Sequence, residues 1–276
     1  MHFAPKKRLI LAAIVLATAG NAQAEGKLEA QYVASLAGIP IGKGSWAIDI
    51  GDTQYTAAAS GMTTGLVKLF TGGRGSGAAQ GALSGGRPAS STYSATIKTS
   101  RHTDEVRMTV SGGVAKDIKI EPPIEPNPKR VPVTDEHRHG VIDPMTASLV
   151  MVAGTGDLRG PQACGRNLAV FDGKLRYDLK LAYKRTENVR AEKGYIGPVI
   201  VCSVAFVPIA GFVPDRPAVK YLSESRDIEV WLAPIAGTRV MVPFRAQLAT
   251  PFGLGVIEAI QFVSAGSHTT GGSKAQ

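Results

Sequence analysis

Cysteine, aromatic residues and charged residues are all scarce in this sequence. Two of its 276 residues are cysteine, 6% are aromatic and 19% are charged. Two cysteines far apart in the sequence form no C-x-x-C redox motif and, by themselves, no zinc site. The low aromatic content disfavours an outer-membrane barrel, whose lipid-facing strands are flanked by girdles of aromatic side chains.

Known catalytic motifs are also missing. There is no G-x-S-x-G nucleophile elbow, and the glycine-flanked Ser76 lacks the strand and helix that such an elbow requires. The glycine-rich run at residues 72–77 lacks the spacing of a phosphate-binding loop. We therefore predict no catalytic residue and no cofactor. A hydrolase acting on cell-wall or glycan material stays open as the alternative, because paired carboxylates meet only in the folded chain.

Glycine and proline, by contrast, are plentiful. The chain has 32 glycines and 17 prolines, which suits a β-rich fold with many turns. The net charge is +9, and removing Lys6, Lys7 and Arg8 leaves 28 basic against 22 acidic residues, a net charge of +6. These charges are dispersed, so we attribute them mainly to solubility. Attraction to anionic membrane or glycan surfaces is the alternative interpretation, and we expect no nucleic-acid partner.

The first 24 residues have the pattern of a secretory signal peptide. Three cations precede an apolar run at residues 9–19, and Ala22-Gln23-Ala24 is a cleavage site that would leave Glu25 as the mature N-terminus. We therefore expect export to the periplasm. No later segment reaches the roughly 20 apolar residues that span a bilayer, so we expect no transmembrane segment in the mature chain.

The expected export determines how the two cysteines are interpreted. In an oxidising compartment, an even cysteine count predicts a disulfide, here between Cys164 and Cys202. Closing the loop between them would stabilise the fold by roughly 4 kcal/mol in the chain-entropy description.

Short runs of alternating polar and apolar residues recur along the mature chain. They predict about a dozen strands at a spacing of roughly 8–12 residues. Asp172-Gly173 between two such runs is a strong hairpin signal. Five prolines between residues 121 and 133 predict an extended crossing instead of a ladder strand.

Two further segments complete the prediction. Residues 62–70 are predicted as a short helix and residues 208–220 as a loop. The predicted fold class is mainly β, as a large curved antiparallel sheet or an open, spiral β-barrel-like domain with one or two short helices packed against it. We assign residues 25–264 to a single β-rich domain and residues 265–276 to a disordered tail.

A helix start is predicted at Asp143-Pro144. Asp143 can accept a backbone N–H as N-cap, and Pro144 suits the first helical position because its missing N–H is not needed there. The apolar residues that follow predict about three turns of helix, ending at Gly154.

His137 and His139 are the candidates for metal binding. Residues two apart in an extended chain face the same side, so both can reach one ion, with Asp135 or Asp143 as a third ligand. No matching second cluster exists in the sequence. We therefore prefer the interpretation that they are surface histidines in a loop, and we predict no functional metal.

Several motifs resemble the proteobacterial family called domain of unknown function 3108. They are Tyr32 with Gly38-Ile39-Pro40-Ile41-Gly42, residues 61–70, Val131-Pro132-Val133, Val141-Ile142-Asp143-Pro144-Met145-Thr146-Ala147, Cys164, Val170-Phe171-Asp172-Gly173, Tyr177, Cys202 and Pro243. The resemblance covers most of the mature chain. It implies an exported protein with a large curved antiparallel sheet, similar to lipoprotein-localisation carriers or to the spiral β folds of envelope-integrity proteins. The family has no established catalytic residues, so none is carried over.

These observations favour a non-catalytic binding or maintenance protein of the cell envelope. Too few helices are predicted to cover the apolar face of the sheet, and exposed apolar area usually marks a binding surface. We expect the curved sheet to hold a lipid, another apolar ligand or a segment of an envelope protein. The rival expectation is a sheet whose interior is filled by its own side chains. Convergent carboxylates in a narrow pocket would favour the hydrolase instead.

Overall fold

A computed structural model describes residues 25–65, 72–84 and 87–266 of the chain. The predicted signal peptide, cleaved after Ala24, lies outside the described residues. Most of the predicted helix at residues 62–70 does too, although Met62 and Thr63 form the end of a strand. Of the predicted tail, residues 265 and 266 belong to the last strand and the rest lies outside the described residues.

Fifteen strands in the described residues form one sheet, which confirms the predicted fold class. In chain order they are β1 (Gly26–Leu36), β2 (Ile39–Ile50), β3 (Gln54–Thr63), β4 (Gly73–Ser84), β5 (Arg87–Thr99), β6 (Thr103–Ser111), β7 (Val114–Glu121), β8 (Val150–Met151), β9 (Arg166–Phe171), β10 (Arg176–Arg190), β11 (Lys193–Gly194), β12 (Ile196–Ala210), β13 (Glu229–Pro234), β14 (Val240–Thr250) and β15 (Gly253–Gly266). The predicted hairpin at Asp172-Gly173 is confirmed as the connection between β9 and β10.

The order of the strands makes the sheet curve back on itself. Neighbours run β7-β6-β5-β4-β3-β2-β1-β15-β14-β13-β12-β10-β9, with β11 beside β15 and β8 beside β14. All pairings are antiparallel except that between β11 and β15. The first and last strands of the chain, β1 and β15, are therefore neighbours in the middle of the sheet.

One extended segment bridges the two edge strands, β7 and β9. The N–H of Val141 donates to the carbonyl of Gly113 beside β7 (2.9 Å), and the N–H of Ile142 donates to Ala169 of β9 (3.0 Å). The N–H of Phe171 donates back to the carbonyl of Ile142 (3.0 Å). Exposed strand edges invite pairing with other chains, and this segment pairs with part of each edge. The sheet is thereby nearly closed into a barrel.

Alternation along the strands sorts the side chains into an inner and an outer face. In β1, Leu28 and Ala30 are buried, whereas Lys27 and Glu29 between them are exposed. Successive residues of a strand point to opposite faces of the sheet, so this pattern gives an apolar interior and a polar exterior.

Side chains fill the end of the barrel where β1 begins and β2 ends. The cluster there is continuous and made of buried aliphatic and aromatic residues: Leu28, Ala30, Trp46, Ile48, Ile50, Tyr55, Ala57, Leu149, Ala191, Val199, Val201, Trp231, Ala233, Ile235, Val240, Val242, Phe244, Ala259 and Phe262. Fully burying each of the larger side chains is worth about 1.5–3 kcal/mol. At this end the rival expectation, a filled interior, is correct.

The predicted three-turn helix starts where expected but is wrong in its length. The helix is Pro144–Ala147, here called the capped helix, and the Asp143 side chain accepts the N–H groups of Met145 and Thr146. The chain leaves the helix at Ser148, and the next residues form β8 beside β14. The apolar run contains β-branched valines, which suit a strand, and pairing with β14 overrides helix formation.

The predicted disulfide between Cys164 and Cys202 is present. Cys202 lies in β12, and Cys164 follows a short 3-10 turn at Pro161–Ala163. Both residues are fully buried. The bridge holds the loop that follows β8 against a second apolar cluster, which includes Val152, Ile200 and Met241.

The prediction of a loop at residues 208–220 is wrong in part. Strand β12 continues to Ala210, and a helix, Pro217–Glu224, begins within the segment. Pro217 at the first helical position was the available signal. Tyr221 of this helix donates to the carbonyl of Ala249 in β14 (2.6 Å). Within the described ranges, no helix has the length and apolarity needed to cross a bilayer.

Candidate functional site

A pocket of about 540 Å³ lies towards the end of the barrel opposite the filled one. Five neighbouring strands, β14, β15, β1, β2 and β3, supply its wall. The lining residues are Tyr32, Ala34, Ile41, Gly42, Lys43, Gly44, Ser45, Trp46, Ala59, Ser60, Gly61, Met62, Thr63, Pro243, Arg245, Ala246 and Ile257. Pockets of about 300–1,000 Å³ with mainly apolar walls are the usual sites for small ligands.

Small residues on the inner face explain why this part of the interior is not filled. Gly42, Gly44 and Trp46 alternate along β2, and Ala59 and Gly61 face them from β3. A Cβ on Gly44 would lie 2.8 Å from the carbonyl oxygen of Ser60, so no larger residue fits there without a shift. The side chains of glycine and alanine are too small to fill the barrel, and a hollow results.

Two aromatic residues bring polar groups to the pocket. The hydroxyl of Tyr32 donates to the carbonyl of Pro243 (2.7 Å), and burial raises the pKa of Tyr32. Trp46 is 9% exposed, and its indole N–H has no hydrogen-bond partner among the described residues. An unmatched buried donor costs about 1–3 kcal/mol, so an acceptor on a bound molecule would be favourable at this point.

One guanidinium group lies at the side of the pocket. Arg245 stacks over the ring of Trp231 at 4.8 Å and donates to the side chain of Gln247 (3.1 Å). Its contact with Glu258 is longer, at 3.8 Å. Lys43 also borders the pocket, but it alternates with Gly42 and Gly44 and is exposed on the outer face of β2.

No acid, histidine or cysteine belongs to the described residues that line this pocket. Asp143, one of the predicted candidates, lies elsewhere and is fully buried. Its carboxylate accepts the two backbone N–H groups of the capped helix and the hydroxyls of Ser90 (2.6 Å) and Thr146. The carboxylate therefore has a structural role as a helix cap.

The structure does not bring the metal-binding candidates together. His137 belongs to a 3-10 turn at Glu136–Arg138, and its Nδ1 accepts the N–H of Thr134 (3.0 Å). His139 pairs through its backbone with Val114. Nowhere in the described part of the chain do three or more His, Cys, Asp or Glu side chains form a group able to hold a metal ion.

Glu187 and Glu229 are two carboxylates that share one donor, Arg185. Arg185 donates to both, reaching Glu229 from Nη2 at 2.9 Å, and Trp231 donates to Glu187 (2.7 Å). The hydrogen bond from Arg185 lowers the pKa of Glu229, and the hydrogen bond from Trp231 lowers the pKa of Glu187. Both groups are held ionised, whereas a glycoside hydrolase needs one carboxylic acid of raised pKa.

Burial raises the pKa of the Asp172 carboxyl group. It accepts the N–H groups of Lys174 (2.8 Å) and Leu175 (2.7 Å) in the turn between β9 and β10. This is the ordinary role of an aspartate in a hairpin turn, and it explains the residue without catalysis.

Sequence reasoning missed the pocket residues. Tyr32 entered only as part of a family resemblance, and Trp46 was not singled out. The pattern Gly42-x-Gly44-x-Trp46 was the available signal, because glycines two apart in a strand remove the side chains from one face.

Comparison with known proteins identifies the family and the fold. The sequence profile of the family described as "Protein of unknown function (DUF3108)" matches residues 31–259. A solved structure, the β-barrel-like protein of domain of unknown function DUF1849 from Brucella abortus, aligns with a TM-score of 0.50 at 10% identity. The alignment covers 88% of this chain and 98% of that chain, and it shows a similar fold. No curated protein sequence matches the chain.

Proposed function

Because the chain belongs to the DUF3108 family, whose description assigns no activity, we propose its function from the pocket. We propose a non-catalytic protein of the cell envelope that binds the apolar part of an amphipathic ligand. One observation carries the proposal: the pocket wall consists mainly of small and apolar side chains. A wall of this kind favours burial of an acyl chain or a similar apolar group.

The polar groups of the pocket support an amphipathic ligand over a purely apolar one. The unpartnered N–H of Trp46 and the guanidinium of Arg245 both favour an oxygen acceptor on the ligand. A carboxylate, ester or phosphate next to an apolar chain would supply it. The alternative hydrolase has no comparable support, because the close carboxylates Glu187 and Glu229 are both held ionised by their donors.

A pocket-filling substitution tests the proposal. A Cβ on Gly61 would meet only the carbonyl oxygen of Lys43, at 3.6 Å, so Gly61→Leu can be built into the pocket wall. We expect it to abolish uptake of a fluorescent fatty acid by the purified protein. Gly156→Leu is the matched control, since a Cβ there has no neighbour within 4 Å and the site is an exposed loop. Equal uptake by wild type and Gly61→Leu would contradict the proposal.

Tryptophan fluorescence gives a second readout that places the ligand. The chain has two tryptophans, of which Trp46 lines the pocket and Trp231 does not. We expect ligand to change the emission of the Trp231→Phe variant, where Trp46 is the sole reporter. Trp231 is a less specific reporter, because Arg245 of the pocket stacks over its ring at 4.8 Å. An unchanged emission of the Trp231→Phe variant at saturating ligand would contradict binding beside Trp46.

Export is part of the same proposal and rests on the signal sequence. The segment 1–24 has a basic start, an apolar run and the Ala22-Gln23-Ala24 site. We expect protein recovered from the periplasm to have the intact mass of a chain that begins at Glu25. Recovery of the protein with residues 1–24 retained would contradict this part.

A further inference from the structure

Two neighbouring hairpin turns form an exposed apolar patch at the pocket end of the barrel. The turn between β1 and β2 lies against the turn between β14 and β15, where the N–H of Ala37 donates to the carbonyl of Leu254 (2.9 Å). On these turns Phe252 is 80% exposed, Ile39 is 66% exposed and Leu254 is 41% exposed. We call Ile39, Phe252 and Leu254 the apolar tip.

The apolar tip lies beyond the last ladder pair of β2 and β3. Strand β3 ends at Thr63, which pairs with Gly42, whereas β2 begins three residues earlier, at Ile39. The chain after β3 still follows β2, because the N–H of Thr64 donates to the carbonyl of Ile41 (2.9 Å). Single exposed apolar residues are common on protein surfaces, but a cluster of them at one end of the barrel marks a contact surface.

A row of cations lies on the outer face of the sheet next to the tip. Lys43, Met62, Arg74 and Lys98 are successive partners across β2, β3, β4 and β5. All three cations are exposed, and exposed Arg101 follows in the turn after β5. Within the described ranges, these four cations form no ion pair.

The carboxylates of the neighbouring strand β6 are already paired with other cations. Asp104 is paired with His102 (3.0 Å) and Lys174 (3.3 Å). Glu105 is paired with Arg107 (3.4 Å). Arg74 and Lys98 lie directly opposite each other in β4 and β5 and carry like charge. Such a pair destabilises a sheet unless an anion lies nearby.

From these contacts we propose that the apolar tip and the cation row dock the protein on an anionic lipid bilayer. The tip enters the interface between headgroups and acyl chains, while Arg74, Lys98 and Arg101 contact the phosphates. A bilayer fits because it offers both chemistries at once, an apolar layer under a layer of negative charge. A soluble polyanion would leave Phe252 and Ile39 in water.

Docking in this way would bring the pocket to the membrane. Ile257 lines the pocket and is 52% exposed near the same end. An amphipathic ligand could then pass between bilayer and pocket. This link rests on the proposed function, whereas docking itself does not.

Vesicle flotation tests the docking. The mature chain should float with vesicles of phosphatidylcholine and phosphatidylglycerol, and much less with phosphatidylcholine alone. Phe252→Ser should weaken binding by about tenfold or more, because it removes an apolar side chain that the bilayer would bury on docking. Arg74→Gln with Lys98→Gln should weaken binding by about 25-fold at low salt, at about fivefold for each cation near an anionic surface.

Matched controls are available at the opposite end of the barrel. Ile196 is 57% exposed at the start of β12, and Lys193 is exposed in β11. Ile196→Ser and Lys193→Gln should leave vesicle binding unchanged. Near-ultraviolet circular dichroism of every variant would show that the fold is intact.

The outcomes separate docking from ligand binding. Phe252, Arg74 and Lys98 do not line the pocket, so their variants should still take up the fluorescent fatty acid in solution. Gly61→Leu should lose uptake and keep vesicle binding. Equal flotation of Phe252→Ser and wild type would overturn the proposal. So would a dimer in solution that Phe252→Ser disperses, together with no vesicle binding, because the tip would then be an interface between copies of the chain.

Discussion

Replacing Asp143 by alanine is the sharpest test of how the capped helix holds the filled end of the barrel. The Asp143 carboxylate is fully buried. Its Oδ1 accepts the N–H groups of Met145 and Thr146, both at 2.9 Å, and its Oδ2 accepts the hydroxyls of Ser90 and Thr146. Tyr55 completes the network through the Thr146 hydroxyl.

The expected magnitude follows from the groups that lose a partner. Loss of the N-cap costs about 0.5–2 kcal/mol. The Ser90 hydroxyl then remains buried without its acceptor, which adds about 1–3 kcal/mol. Thr146 keeps its contact with Tyr55, so it contributes little more. Asp143→Ala should therefore lower the free energy of unfolding by about 2–5 kcal/mol in total.

Asp143→Asn separates the cap from the charge. The asparagine oxygen can still accept the two backbone N–H groups, and the hydroxyls of Ser90 and Thr146 can turn to accept from its amide. We expect a smaller loss, about 1–2 kcal/mol, because neutral hydrogen bonds replace charge-assisted ones.

Urea unfolding with the disulfide intact, followed by far-ultraviolet circular dichroism, measures both losses. A double-mutant cycle of Asp143→Ala with Ser90→Ala should show coupling of about 0.5–3 kcal/mol, since the two side chains are in contact. A loss below about 0.5 kcal/mol for Asp143→Ala would refute the buried network. Equal losses for alanine and asparagine would refute the role of the cap.

Three further predictions concern stability. Cys202→Ser, which breaks the bridge to Cys164, should lower the free energy of unfolding by about 2–5 kcal/mol, and reduction of the wild type should match it. Burial raises the pKa of Tyr55 to about 12. The stability that the protonated Tyr55 contributes is therefore complete below about pH 10 and is lost as the pH rises towards 12. Tyr55→Phe should reduce this alkaline loss of unfolding free energy by about 2–3 kcal/mol in unfolding titrations. The hydrogen bond from Arg185 lowers the pKa of Glu229. The stability contributed by ionised Glu229 is therefore present above the pKa of the unfolded state, about 4.3, and is lost as the pH falls below it. The free energy of unfolding of Glu229→Gln should depend less on pH in this acid range, and an unchanged dependence would contradict the pairing.

Features that depend on a few consecutive residues could be predicted from the sequence. The hairpin follows from Asp172-Gly173, whose turn geometry is local, and the structure confirms it. The cap at Asp143 follows from a short polar side chain directly before Pro144. The bridge between Cys164 and Cys202 follows from an even cysteine count in a chain with a predicted signal peptide, without any knowledge of the path between them.

Features that depend on competition between partners could not be predicted. The apolar residues after the capped helix are compatible with helix or strand, and only the presence of β14 alongside Val150–Met151 decides for the strand. The helix Pro217–Glu224 has none of its residues buried, so it lacked the strong apolar pattern that identifies a helix.

The hollow itself is a property of the tertiary structure alone. Alternation along a strand tells which residues share a face, and so an apolar interior could be expected from the sequence. Whether that interior is filled depends on which strands become neighbours and in which register. Tyr32 and Pro243 meet across 211 positions of the chain, and Gly44 of β2 lies opposite Gly61 of β3 only in the observed register. Those long-range pairings place bulky side chains at one end of the barrel and glycine and alanine towards the other, which is why one end is solid and the other holds a pocket.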